Sequence, residues 1–139
     1  MNVIAFREID QAVLDRLHAI VGDTGVITDD YDKSPYLNDE RGYYTGATPM
    51  VVRPASTEEV SEIVRICNET RTPIVPQGGN TGLCGGATPY EHGGEILLSL
   101  TRMNKVRDID ALNYAITVEA GVILADVQTA AEEANRYFP

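Results

Sequence analysis

The stretch Pro76-Gln77-Gly78-Gly79-Asn80-Thr81-Gly82-Leu83-Cys84-Gly85-Gly86 decides how this chain is read, because it gathers five of the 12 glycines into one short segment. From Thr72 to Tyr90 no residue is charged, in a chain whose formal net charge is -10. Glycine lets the backbone turn through positive φ and brings N–H groups close to an anion with no Cβ in the way. Consecutive N–H groups then form a concavity that binds anions, and Asn80 and Thr81 add side-chain donors. The missing carboxylates remove a repulsion that the rest of the chain would impose on a phosphate. The segment therefore reads as a cradle for a diphosphate built from main-chain amides, with a long flexible surface loop as the plain alternative.

Common nucleotide fingerprints fail on this stretch. A Walker loop requires Lys and then Ser or Thr after its last glycine, whereas Gly85-Gly86 is followed by Ala87-Thr88. The dinucleotide pattern G-x-G-x-x-G opening a helix cannot be placed here either.

Upstream, Met50-Val51-Val52-Arg53-Pro54 reads as a strand stopped by proline. Ser56-Thr57-Glu58-Glu59 is a capping box, in which the hydroxyl of Ser56 and the carboxylate of Glu59 serve orphan N–H groups reciprocally. The helix that follows should bury Val60, Ile63, Val64 and Cys67 and run out near Arg71, with Pro73 preventing continuation. Ile74-Val75 is the next strand, so Met50 to Pro76 is expected to form a strand-helix-strand unit with parallel strands and a right-handed crossover. The glycine loop leaves from the carboxyl end of that second strand, where ligands of such sheets collect.

Downstream, Glu95-Ile96-Leu97-Leu98-Ser99-Leu100 is a strand whose near-continuous apolar run predicts burial on both faces. Val106–Ile109 and Ala115–Glu119 form a hairpin across Asp110–Tyr114, and Leu124, Val127, Ala131 and Ala134 mark a last helix ending near Tyr137-Phe138-Pro139. Nearer the start, Ile9, Val13, Leu17, Ile20 and Val21 recur at helical spacing up to Gly22, which leaves His18 at the surface. Gly25-Val26-Ile27-Thr28 reads as a short strand, and the tyrosine-rich stretch from Asp29 to Gly46 is irregular with room for a helical turn. The fold class is α+β.

At 139 residues the chain holds one domain, 1–139, and is too short for a substrate domain as well. A pI of about 4.5 without basic clusters argues against nucleic acid, and no apolar run approaches the ~20 residues of an integral membrane segment. Met1 to Asp10 carries Arg7, Glu8 and Asp10 where a secretory signal needs an apolar stretch, so a cytoplasmic location is expected. Cys67, on the helix stripe, reads as a core residue. Cys84 has no cationic neighbour in sequence to activate it. His18 and His92 have no ligand-spaced partner, so no metal site is expected.

Four segments carry a family resemblance. Val51 to Val60, Pro76 to Gly86, Leu98-Ser99-Leu100-Thr101-Arg102-Met103-Asn104 and Val118-Glu119-Ala120-Gly121-Val122 together resemble the FAD-linked oxidases of the p-cresol methylhydroxylase and vanillyl-alcohol oxidase superfamily. Within it they are most similar to the D-2-hydroxyacid dehydrogenase branch, which includes D-lactate dehydrogenases, the glycolate oxidase flavoprotein subunit and D-2-hydroxyglutarate dehydrogenase. The resemblance runs from about Tyr31 to the end and implies the first part of a PCMH-type FAD-binding domain, incomplete in itself and lacking the substrate domain. It implies that Gly78, Gly79, Asn80, Thr81 and Gly82 form the pyrophosphate loop. It further implies that Pro54, Met103, Glu119 and Gly121 lie along FAD, and that Pro76, Gln77 and Gly86 border it. Core packing remains the other reading of Met103, and a strand-to-helix turn the other reading of Glu119-Ala120-Gly121.

The same resemblance implies hydride removal from a small D-2-hydroxy acid to FAD in the full-length protein, with no catalytic residue in this stretch. A non-enzymatic nucleotide-binding or interaction module, and an FAD-linked oxidase of another alcohol or a sugar lactone, stand as alternatives. An unfinished domain also leaves apolar surface or a sheet edge uncovered, so self-association is expected.

Branches with flavin attached covalently through this loop place a histidine after the Gly-Gly pair, where this chain has Asn80, which lacks a nucleophilic ring nitrogen. FAD is therefore expected to bind non-covalently here. Denaturing the full-length protein should free all of its yellow chromophore, and colour retained on a peptide spanning Asn80 would refute the expectation.

Overall fold

A computed structural model describes residues 8–139; the part of the leader reading that rests on residues 1–7 lies outside them. Helix α1 (Gln11–Val21) is capped by the Asp10 carboxylate, which accepts the Ala12 N–H at 3.1 Å. It stops at Gly22, whose φ of +67° suits glycine and whose N–H donates to His18 O. A 3-10 turn (Asp23–Gly25) leads to strand β1 (Val26–Ile27). The tyrosine-rich region contains a four-residue helix α2 (Asp30–Lys33) and a 3-10 turn (Ser34–Tyr36) before its irregular remainder.

Strand β2 (Val51–Val52) is shorter than the apolar run around it, and β4 (Ile96–Ser99) likewise omits Glu95 and Leu100. Strand β3 (Ile74–Gln77) is two residues longer than expected: Pro76 and Gln77 belong to the strand, so the loop proper begins at Gly78. Proline is tolerated there because β3 is an edge strand. The order is β1-β2-β4-β3, with β1 antiparallel to β2 and the other pairs parallel. The two strands of the expected strand-helix-strand unit are thus parallel but not neighbours, since β4 inserts between them. Both faces of β4 are covered, as its apolar run predicts, and all four of its residues are buried.

Helix α3 (Thr57–Thr70) begins where Ser56 Oγ accepts the Glu59 N–H at 3.2 Å. The returning arm of the capping box is displaced by one residue, because Glu59 Oε2 accepts the N–H of Ala55 at 2.7 Å rather than that of Ser56. The helix closes on Arg71 in the left-handed conformation, φ +58°. Its buried face is Ile63, Ile66 and Cys67, with Val60 partly covered. Val64, expected inside, is 46% exposed: it sits one residue past Ile63 and so turns about 100° away from the core. Helices α1 and α3 pack together over one face of the sheet, where Leu17, Ile63, Val52, Ile96 and Leu98 form the main core. On the opposite face Val51, Leu97, Val75 and Gln77 are also buried. Burial raises the Cys67 thiol pKa, which fits a core residue.

Beyond β4 the chain forms the hairpin β5 (Val106–Asp110) and β6 (Ala115–Val118), with a register shift at Arg107. Helix α4 (Leu124–Glu133) follows and buries Val127 and Ala131, while Leu124 is exposed. Glu119 ties the hairpin shut. One carboxylate oxygen accepts the Lys105 N–H at 3.0 Å, and the other faces the Arg107 guanidinium at 3.1 Å. No helix among the described residues is long and apolar enough to cross a membrane.

Truncating Ile63 to alanine should lower stability by about 2–5 kcal/mol, whereas Val64→Ala should change it by less than about 0.5 kcal/mol, as read from urea unfolding. The Lys105 N–H, with Arg107, holds the Glu119 carboxyl below its ordinary value of 4.5. Its contribution to stability is therefore present above pH 4.5 and lost as pH falls through the lower folded-state value. Glu119→Gln should flatten that part of the acid-side decline in urea midpoint; an unchanged slope would contradict the latch.

Candidate functional site: the glycine loop at the carboxyl edge of the sheet

Three segments leave the sheet at one edge, because β2, β4 and β3 run in the same direction. They are Arg53-Pro54 after β2, Gly78 onward after β3, and Leu100 to Met103 after β4. Crosslinks hold them together: Leu100 N donates to Gln77 O at 2.9 Å, and Arg102 Nη1 donates to Arg53 O at 2.8 Å. The hairpin reaches the same edge, since Gly121 N donates to Met103 O at 2.8 Å. A Cβ at Gly121 would lie 1.8 Å from Leu100 O, so only glycine permits this approach. The structure thus collects Pro54, Pro76, Gln77, Met103, Glu119, Gly121 and the glycine loop at one end of the sheet.

Their roles differ. Pro54 and Met103 are buried, and Glu119 is committed to Lys105 and Arg107. Gln77, 3% exposed, donates from Nε2 to Tyr36 O and to Ala87 O, both at 2.9 Å. One carboxamide therefore pins the far end of the loop and the tyrosine-rich segment at once. Pro76 is exposed.

The loop has the chemistry of an anion cradle. Among the described residues, no backbone amide from Gly78 to Gly86 donates to a protein acceptor. A Cβ added at Gly78, Gly79, Gly82 or Gly86 would meet no atom within 4 Å, and none of these glycines has positive φ. The fold itself therefore does not require glycine at these positions; the space their missing side chains leave faces outward from the protein. Gly85 is different, with φ +71° and the Tyr44 ring 2.8 Å from where its Cβ would be. Thr81 is exposed, Asn80 has left-handed φ of +54°, and Cys84 is exposed. These features fit a diphosphate held by main-chain amides, as FAD would present.

Sequence reading missed the wall behind the loop. Leu37 to Gly46 closes on itself through Gly46 N to Leu37 O, Asp39 N to Tyr44 O and the Asn38–Thr45 bridge. The Asp39 carboxylate, 6% exposed, accepts the N–H groups of Tyr44 at 2.8 Å and Arg41 at 3.3 Å. The Tyr44 N–H is the chief cause that lowers its pKa. Gly46 meets the end of the loop so closely that a Cβ would sit 2.0 Å from Pro89 O. Gly42 and Gly46, with Asn38 and Asp39, are the turn-forming signals that mark this wall in the sequence. His92 Nδ1 accepts the Gly94 N–H, and its ring stacks on Tyr90, while His18 pairs with Asp23 at 2.7 Å.

Residues 48–139 match the family described as FAD binding domain. A probable mitochondrial D-2-hydroxyglutarate dehydrogenase of Oryza sativa subsp. indica is 39% identical over 121 residues, 87% of this chain and 21% of that protein. A D-lactate dehydrogenase of Anaerostipes hadrus is 32% identical over 140 residues, 100% of this chain and 29% of that one. The chain therefore spans well under a third of the length of these relatives. Among solved structures, p-cresol methylhydroxylase with substrate bound aligns with a TM-score of 0.76 and 29% identity, covering 90% of this chain and 25% of that one. An alkyldihydroxyacetonephosphate synthase aligns with a TM-score of 0.80 at 18% identity, over 94% of this chain and 26% of that one, and shares the fold. With its α+β architecture and uncharged amide-lined loop, the chain belongs to the FAD binding domain family, among the flavoproteins of the p-cresol methylhydroxylase and vanillyl-alcohol oxidase superfamily.

Proposed function

We propose that this chain is the N-terminal portion of a larger FAD-binding domain and holds the cofactor's pyrophosphate on Gly78–Gly82, in a protein that oxidises a D-2-hydroxy acid to the 2-oxo acid. The observation that carries the cofactor site is the run of amides from Gly78 to Gly86 without protein acceptors. The substrate class rests on relatives named for D-2-hydroxyglutarate and D-lactate, and the further domains on their greater length. FAD, when bound, would supply the chemistry as acceptor of a hydride from C2 of the hydroxy acid.

The chain's own residues bind and orient. Amides of Gly78, Gly79 and Gly82 face the phosphates, and Thr81 adds a hydroxyl donor. Gln77 and Gly86 border the site, and Pro76 lies in the strand that aims it. Pro54, Met103, Glu119 and Gly121 fix the shape of the edge along which FAD lies. Asn80 in place of a histidine supports non-covalent attachment. The two free thiols fit a reduced compartment, for which we propose the cytoplasm; cell fractionation tests this against the mitochondrial location named for several relatives. Exposed Leu112, Tyr114, Leu124 and Tyr137 support self-association of residues 1–139, which light scattering would detect and a monomer at high concentration would refute.

Gly79→Val should weaken FAD binding by the full-length protein by about tenfold or more, while leaving the unfolding midpoint of the apoprotein unchanged, since the new side chain meets no protein atom within 4 Å of its Cβ. Equal FAD affinity in wild type and variant would overturn the loop assignment. Residues 1–139 alone should bind FAD weakly and show no turnover, and a submicromolar dissociation constant by calorimetry would contradict that.

A further inference from the structure

The glycine loop has one side-chain tether in its first half. Asn80 Nδ2 donates to Asn38 O at 2.8 Å, across 42 residues of sequence. Asn80 also holds the left-handed conformation, φ +54°, at the point where the loop reverses after Gly78-Gly79. A non-glycine residue is strained there, with asparagine among the more tolerant types. Its partner is itself fixed. Asn38 Nδ2 donates to Ser34 O at 3.2 Å, and Asn38 Oδ1 accepts the Thr45 hydroxyl at 2.9 Å. Behind it, the Asp39 carboxylate gathers the Tyr44 and Arg41 amides.

We infer that Asn80 is a positioning residue: tethered to the Asn38 carbonyl, it transmits the rigidity of the Ser34–Gly46 wall to the loop, so that the loop's amides are aligned before the diphosphate arrives. This rests on the flavin reading above and adds the means by which the site is held ready. The physical need is specific to this loop. Four of its glycines meet nothing that would restrain them, and a flexible loop must lose conformational freedom on binding. Gln77 fixes one end and the segment around Ala87 the other, which leaves Asn80 to restrain the span between them.

The test compares FAD affinity and FAD release rate of the full-length wild-type protein with those of Asn80→Ala, Asn80→Gly and Thr45→Val, following flavin fluorescence. Asn80→Gly keeps the backbone conformation and removes the tether. Thr45→Val leaves the loop untouched and frees Asn38 from behind. Both Asn80 variants should bind FAD about five- to tenfold more weakly, chiefly through faster release, and Thr45→Val should be weakened in the same direction by a smaller factor. Apoprotein urea midpoints of Asn80→Gly and Thr45→Val should stay close to wild type, which separates positioning from loss of fold. If Asn80→Gly and Thr45→Val bind as wild type does, backbone conformation alone suffices and the inference is overturned, even if Asn80→Ala is weak. Failure of the wild type to bind FAD would instead refute the flavin reading.

Discussion

Strand β4 lies between β2 and β3, hydrogen-bonded to both in parallel, with all four residues buried. Parallel neighbours cannot be joined by a tight turn, so each needs a crossover, and each crossover brings the chain back to the same starting edge. The three parallel strands β2, β4 and β3 consequently discharge their following segments at the opposite edge. That is why Arg53-Pro54, Gly78 onward and Leu100 to Met103 come together although they are far apart in sequence. Thr48 secures the other end, its buried hydroxyl lying 2.7 Å from Glu95 O and 2.9 Å from Met50 O and having one hydrogen to donate between them.

An acidic chain that must hold a phosphate has two physical routes: concentrate arginine and lysine locally, or line up neutral amides. On the function proposed for it, this chain takes the second, and the choice bears on much of its architecture. Amide dipoles act over short range, so they stabilise an anion only when several point at it together. Such convergence demands a loop of glycines, which is conformationally loose, and the looseness demands supports. On the same reading, the buried Gln77 carboxamide, the Asn80 hydrogen bond to Asn38 O and the close approach of Gly46 to Pro89 serve as those supports.

The helices, the order of the elements and the place of the glycine loop after β3 were legible in the sequence, because each rests on local signals. The serine at 56 with Glu59 marks a helix start, and the apolar run of Ile96 to Leu98 a central strand. What escaped is non-local or depends on phase. Insertion of β4 between β2 and β3 follows from packing that no stretch of sequence displays by itself. Val64 and Ile66 are equally apolar, and only the rotation of α3 against α1 exposes the first and buries the second. The wall from Ser34 to Gly46 was read as irregular, which it is in secondary structure. Its order comes from hydrogen bonds to Asp39, Asn38 and Gln77, the last linked to Tyr36 across 41 residues. Among the flanking residues, the reading of Glu119-Ala120-Gly121 as a turn has a direct structural basis in the contact between Gly121 and Leu100.

Pro76 has a consequence at the outer margin of the sheet. Pro73 O and Gln77 O both accept N–H groups from the β4 side, so by alternation the main chain at residue 76 points away from β4. Proline there offers no hydrogen to a passing strand. Fibril-like growth by adding strands onto this border is thereby frustrated, and at the other border β1 is only two residues long. The four-stranded sheet is thus closed to strand addition at one border by chemistry and at the other by brevity.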